Sequence, residues 1–222
     1  MRKTFDAELV ELSHELTAMG TTTQDAIDLV TASLTQGKAE GAKATIAMRN
    51  TMDQMERDIE NRCMSLLMRQ QPVARDLRTI SAAMKMVTDL QRIGDQAANI
   101  AEISLLIAES GDKPDVPEEI VAMSRQAGLM VRQAIAAYVD RDENTARAVI
   151  NLDDVVDDLF VQLKKILVER IASRADHSDR SVDLIIIGKY LERVADHAVN
   201  IANWAIFCVT GEIQQEKRRE AP

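Results

Sequence analysis

The strongest constraint on the fold is a segment that occurs twice. LQRIGDQAANIA at residues 90–101 and LERVADHAVNIA at residues 191–202 share Leu, Arg, Asp, Ala, Asn, Ile and Ala at the same places. A second pair, KAEGAKATI at 38–46 and DENTARAVI at 142–150, recurs at an offset that differs by three residues. Because both pairs occur in the same order along the chain, they indicate two structural repeats. The difference of three residues between their offsets lies in a loop between elements.

Apolar residues recur with the period of an α-helix along nearly the whole chain, and this pattern predicts long amphipathic helices. Pro72 separates the second helix from the third, and SGDKPDVPEE at 110–119 is a linker between the repeats. Short connections favour antiparallel neighbours. We therefore predict an all-α fold with two tandem repeats of a long three-helix antiparallel bundle, one in residues 1–112 and one in residues 113–222. The predicted helices span 5–36, 38–70, 74–109, 118–140, 142–172 and 179–210.

Composition narrows the classes of function. The chain is 46% hydrophobic and only 3% aromatic, which suits a helical core. Its net charge of −9 argues against a nucleic-acid partner or an anionic membrane surface. No apolar stretch approaches the roughly 18 residues of a membrane span, and the first residues do not resemble a signal peptide. We therefore expect a cytoplasmic protein that does not insert into membranes.

Four acids of the second repeat are predicted to meet. Asp153 and Asp157 share one face of the fifth helix, and Glu192 and Asp196 share one face of the sixth. In an antiparallel hairpin, residues equidistant from the turn lie at the same level. Asp153 pairs in this way with Asp196, and Asp157 with Glu192. If the two faces point at each other, four carboxylates come together.

Two interpretations of this quartet remain open. Uncompensated carboxylates at close range repel, and a bound cation removes the repulsion. Oxygen ligands suit Mg, Ca, Mn or non-haem iron. The other interpretation is a solvated acidic face. Asn99 and Asn200 lie one turn beyond Asp95 and Asp196, where each is placed either to orient a carboxylate or to make an ordinary hydrogen bond between helices.

The first repeat departs from this pattern. The corresponding positions hold Arg49, Asp53, Gln91 and Asp95, so that two of the four acids are missing. Arg49 is predicted level with Asp95, and Gln91 level with Asp53. Our hypothesis is that an ion pair and an amide–carboxylate hydrogen bond replace the metal here. Glu56 continues the stripe of Asp53, and the alternative is a weaker ion site at this place.

Several segments together resemble a known family. They are Met19-Gly20, QQPVARDLR at 70–78, DLQRIGD at 89–95, and LERVAD at 191–196 followed by Asn200. The chain is similar to the PhoU family over nearly its whole length. The resemblance implies two three-helix bundles and acidic motifs that bind iron, zinc or other cations in some members, which suggests Fe, Zn, Mn or Mg for this chain. The family's motifs fall on Asp153, Asp157, Glu192 and Asp196, and on Asp53 and Asp95.

The resemblance also implies a function. PhoU-like proteins are non-enzymatic regulators of phosphate homeostasis. They couple the phosphate ABC transporter, through its ATPase subunit, to a sensor histidine kinase. They thereby repress phosphate-starvation genes and limit phosphate uptake. A homodimer is compatible with the family.

Two other functions compete with this one. A metal-free helical adaptor would differ only in lacking the ion. A di-iron carboxylate oxidase needs Glu-x-x-His pairs on two helices. The chain has only three histidines, His14, His177 and His197, and does not carry two such pairs.

Overall fold

A computed structural model describes residues 2–70, 72, 74–110, 115–173 and 178–212. This part of the chain forms six α-helices and contains no strand, which confirms the predicted all-α class. The ends agree with the predicted ones to within three residues. The helices are α1 (Arg2–Gln36), α2 (Ala39–Gln70), α3 (Arg75–Glu109), α4 (Glu118–Asp140), α5 (Glu143–Ser173) and α6 (Ser178–Thr210).

The helices assemble into two three-helix bundles. In the first, α1, α2 and α3 all contact one another, and in the second α4, α5 and α6 do the same. The bundles are joined by contacts of α3 with α6 and of α1 with α4. Among the described residues, α2 and α5 pack only on helices of their own bundle. The acids of each repeat thus lie between an outer helix and a central one.

The central helices α3 and α6 bury several small side chains. Ala97 and Ala101 of α3 and Ala198 and Ala202 of α6 are fully buried. Small side chains let helix backbones approach closely, and larger apolar side chains such as Leu90 and Ile201 are buried on the same helices. None of the described helices combines the length and the apolar character needed to span a membrane.

Glycine and aspartate define several helix ends. Gly37 and Gly211 adopt positive φ angles of 66° and 80°, which glycine tolerates because it has no Cβ. The backbone N–H of Gly211 donates to the Phe207 carbonyl at 2.9 Å, so α6 ends where the sequence predicts.

The turn between α4 and α5 is built on Asp142. Its Oδ1 accepts hydrogen bonds from the backbone N–H groups of Asn144 at 2.9 Å and Thr145 at 3.2 Å, and its Oδ2 accepts from the Thr145 hydroxyl at 2.6 Å. These bonds, that of the Thr145 hydroxyl first, lower the pKa of Asp142. Asp142 is therefore the N-cap of α5, which begins at Glu143, one residue later than predicted.

Gly188 lies where α5 packs closely on α6, so a substitution there tests this packing. A Cβ at this position would lie 2.5 Å from Leu163 Cδ2 and 3.1 Å from the Phe160 ring, both of which are buried. Helix propensity alone would favour alanine by about 1 kcal/mol. We expect Gly188→Ala nevertheless to lower the free energy of unfolding by about 1–2 kcal/mol, because the core must shift. Urea unfolding measures this, with Ala136→Gly at an exposed position of α4 as the control for propensity. A stabilised Gly188→Ala protein would contradict the packing argument.

Candidate carboxylate sites

The second-repeat acids lie along the α5–α6 pair. Asp157 of α5 acts electrostatically on Asp196 of α6, as does Glu192 one turn away on α6. Burial is the largest cause that raises the pKa of Asp196, followed by the repulsion of Glu192; Asp157 adds to it, whereas Lys189 and His197 oppose it. Glu192 and Asp157 are therefore close enough to destabilise the charge of Asp196. Asp153, which is half-buried, lies one turn before Asp157 on α5.

A lysine already takes part in this acidic cluster. The Lys189 ammonium pairs with Glu192, whose side chain is only 17% exposed. Lys189 Nζ also lies 5.8 Å from the centre of the Phe160 ring. Lys189 is the larger of the two influences that lower the pKa of Asp196 by attraction. The Lys189 ammonium thus compensates part of the negative charge of the acidic cluster.

The carboxylate oxygens of this cluster are suitable ligands for a hard cation, but their arrangement in the structure is not. Carboxylate oxygens are the ligands that Mg, Mn and iron prefer. In the part of the chain that the structure describes, however, no three His, Cys, Asp or Glu side chains come together closely enough to hold a metal ion. The chemistry of the residues therefore fits a metal, while their arrangement is that of a cluster partly neutralised by Lys189.

The first repeat places its four residues in direct contact. Gln91 Nε2 donates to Asp53 Oδ1 and to Asp95 Oδ2, both at 3.1 Å. Arg49 Nε lies 3.4 Å from Asp95 Oδ1, and its Nη2 donates to Asn99 Oδ1 at 3.0 Å. A continuous run of polar contacts thus links α2 to α3 at the level that the register predicts. That this network replaces an ion stays a prediction.

Acidic charge persists beside this network. The pKa of Glu56 is raised, first by burial and then by repulsion from Glu60 and Asp53. Arg92 opposes the rise and also lies 3.7 Å from Asp95. Glu56 is therefore the place where the first repeat retains unbalanced negative charge.

Asn200 has a partner that the sequence analysis missed. Its Nδ2 donates at 3.3 Å to Asp89 Oδ1, and His197 Nδ1 lies 2.9 Å from the same oxygen. Asp89 belongs to α3, so these contacts tie the two repeats together. One signal was available in the sequence. Asp89 directly precedes the duplicated segment, and its counterpart in the second repeat is Tyr190.

The one Glu-x-x-His spacing in the chain lies far from these sites in the sequence. Glu11 and His14 are on α1, 3.9 Å apart, with side chains 54% and 72% exposed. An exposed pair on one helix does not form the buried centre that a di-iron oxidase requires.

Comparison with known proteins agrees with this architecture. A family model described as PhoU domain matches residues 16–104 and again residues 120–205, one match in each bundle. The chain belongs to the PhoU family. Among its curated relatives, a phosphate-specific transport system accessory protein PhoU homolog of Aquifex aeolicus is 38% identical over 93% of both chains. The homolog of the same name from Clostridium acetobutylicum is 32% identical over 95% of this chain and 96% of its own.

Solved structures show the same fold. The crystal structure of PhoU from Pseudomonas aeruginosa superposes with a TM-score of 0.88 at 32% identity, covering 94% of this chain and all of that one. The phosphate transport system regulatory protein PhoU from Streptococcus pneumoniae gives 0.87 at 25% identity, covering 95% and 99%. Together with the doubled family match, these similarities confirm the tandem repeat.

The Gln91 bridge can be tested by a change to an acid. Gln91→Glu removes the donor to Asp53 and Asp95 and adds a third carboxylate. We expect the free energy of unfolding to fall by about 1–3 kcal/mol in metal-free buffer. Gln54→Glu is the matched control, since Gln54 also donates to an aspartate, Asp58, but is exposed on α2. Equal losses in the two variants, measured by urea unfolding, would show that the bridge adds nothing.

The raised pKa of Asp196 predicts a dependence on pH. A carboxyl whose pKa is higher in the folded protein than in the unfolded chain binds protons more tightly when folded. Stability therefore falls as pH rises from below the unfolded value of about 4 through the folded pKa. In chelator-treated protein, we expect Asp196→Asn to raise the melting temperature at neutral pH and to flatten this fall. Asp158→Asn, an exposed acid of α5, controls for the loss of one negative charge. A lower melting temperature for Asp196→Asn would contradict the prediction.

Proposed function

We propose that this chain is a non-enzymatic accessory protein of a phosphate transport system. It acts in the cytoplasm and couples the ATPase subunit of a phosphate ABC transporter to a sensor histidine kinase. In this role it represses phosphate-starvation genes and limits phosphate uptake. The observation that carries the proposal is the similarity to phosphate-specific transport system accessory proteins, at 32–38% identity over 93% or more of the chain.

The outer helices supply surfaces for such partners. Met64 and Met68 of α2 and Val161 and Val168 of α5 are large apolar side chains that are 44–71% exposed. Methionine adapts its shape to different partners, and exposed apolar side chains on one helix favour docking of another protein. Each repeat thus offers an outer helix to a partner while its inner helices hold the core.

We further propose that the second repeat binds a divalent or trivalent metal ion, such as Fe, Zn, Mn or Mg. Asp153, Asp157, Glu192 and Asp196 would hold it, and the ion would supply positive charge between α5 and α6. The raised pKa of Asp196, caused by burial and by Glu192 and Asp157, supports this proposal. Lys189 opposes such binding, because its ammonium already pairs with a carboxylate oxygen of Glu192.

Metal analysis tests the site directly. We expect near-stoichiometric metal in protein purified without chelator, loss of this metal in Asp157→Ala/Glu192→Ala, and its retention in Asp53→Ala. Lys189→Met should tighten Mn²⁺ binding about three- to tenfold, since it removes the competing charge. Equilibrium dialysis against Mn²⁺ measures this affinity. Absence of metal from the wild-type protein, even after addition of Fe, Mn, Zn and Mg, would refute the metal proposal.

Gene replacement tests the regulatory role and shows whether that role depends on the metal site. We expect a strain lacking the chain to express a phosphate-starvation reporter in phosphate-rich medium and to take up more labelled phosphate. The wild-type chain should restore repression. An unchanged reporter and unchanged uptake would contradict the regulatory proposal. If Asp157→Ala/Glu192→Ala restores repression fully, the chain acts as a metal-free helical adaptor, and the acidic quartet is not required for signalling.

A further inference from the structure

A second polar feature lies where α1 of the first bundle meets α4 of the second. The two helices run antiparallel, since Gly20 faces Ile135, Gln24 faces Gly128, and Thr31 contacts Ser124. Beside this contact is a cleft of about 390 Å³ between residues 24–36 of α1 and residues 121–132 of α4. This volume lies within the range of sites for small molecules. The cleft shares no residue with the two carboxylate sites.

The two inner hydroxyl groups of the cleft have committed their protons. The Thr31 hydroxyl donates to the Ile27 carbonyl at 2.7 Å, so Ser124 is the donor in the 2.6 Å contact between the two hydroxyls. Gln24 Nε2 donates to Asp28 Oδ1 at 2.9 Å, and this carboxylate sets the orientation of the amide. What the two hydroxyl groups still offer is hydrogen-bond acceptors.

Gln24 carries an acceptor that no described group satisfies. The residue is 7% exposed, and its Oε1 is buried without a hydrogen-bond partner. The amide packs against Gly128, where an added Cβ would lie 2.5 Å from Nε2, so the α4 backbone holds it in place. A buried acceptor left unpaired costs about 1–3 kcal/mol, and a ligand that brings a donor recovers this cost.

Two guanidinium groups supply the opposite chemistry. Arg125 follows Ser124, and Arg132 lies one turn beyond Gly128 on the same helix; both line the cleft and are exposed. Neither forms an ion pair with any residue that the structure describes. The cleft holds one acid, Asp28, so its net charge is positive although the chain carries −9. Guanidinium groups suit phosphate and carboxylate groups.

We infer that the α1–α4 cleft binds a small organic anion that also carries hydroxyl donors, as a sugar phosphate does. The anionic group lies between Arg125 and Arg132, and a hydroxyl donates to Gln24 Oε1. Since the walls of the cleft come from both repeats, such a ligand stabilises the packing of one bundle on the other. The inference is independent of the proposed metal site and of the phosphate-transport role.

Ribose 5-phosphate is the probe that tests this inference. We expect saturable binding to the full chain by calorimetry and a rise in melting temperature. Inorganic phosphate and ribose, which carry only the anion or only the hydroxyls, should each bind at least about tenfold more weakly. Arg125→Gln/Arg132→Gln should weaken ribose 5-phosphate binding about tenfold or more. Arg57→Gln/Arg147→Gln, at exposed positions of α2 and α5, is the matched control and should bind as the wild type does.

Gln24→Met separates the acceptor from the charge. It should weaken ribose 5-phosphate binding while leaving the weaker binding of inorganic phosphate unchanged. Three results would each overturn the inference: no binding of ribose 5-phosphate at about 10 mM, equal binding to the Arg125→Gln/Arg132→Gln protein, or an equal loss in the control variant. Because Arg125 and Arg132 are exposed, their variants remain a valid test if Gln24→Met does not fold.

Discussion

The packing of α3 on α6 is the interaction on which the rest of the structure depends. It brings the two bundles together, and both helices bury small side chains such as Ala97 and Ala198. Small side chains allow this approach, and Asp89, held by His197 and Asn200, adds a polar contact that is specific to one alignment. The inner faces of α3 and α6 are thereby used for the core, and the acids on their other faces are left to meet α2 and α5.

The two repeats share one duplicated pattern, but different side chains compensate the negative charge of their acids. In the first, Arg49 and Gln91 stand where the second has Asp153 and Glu192, and they bind the remaining acids directly. In the second, Lys189 compensates from α6 itself, where the first repeat has Thr88. The difference matters physically. Arg49 pairs with acids of the neighbouring helix, so its removal would weaken a contact between α2 and α3, whereas Lys189 pairs with an acid of its own helix and can leave without loss of a contact between helices.

Much of the fold could be predicted because its determinants are local. Helical periodicity, Pro72 and Gly211 give the helix ends, and the duplicated segments give the register that places Gln91 beside Asp53. The contacts missed were those between repeats. Asp89 with Asn200, and the cleft between Gln24 and Arg132, depend on how one bundle lies on the other, and no spacing along a helix encodes this. Lys189 was visible as a neighbour of the acids, but only the side-chain geometry shows that it pairs with Glu192.

The acids of the second repeat lie between its outer helix and its central one. Asp157 lies on α5, which packs only on α4 and α6 among the described residues, while Glu192 and Asp196 lie on the central helix α6. Repulsion across this pair weakens the attachment of the outer helix, and any cation that enters strengthens it. The apolar side chains of α5, Val161 and Val168, are exposed on the same helix. A change in charge between α5 and α6 therefore changes how firmly the outer helix is held against the rest of its bundle.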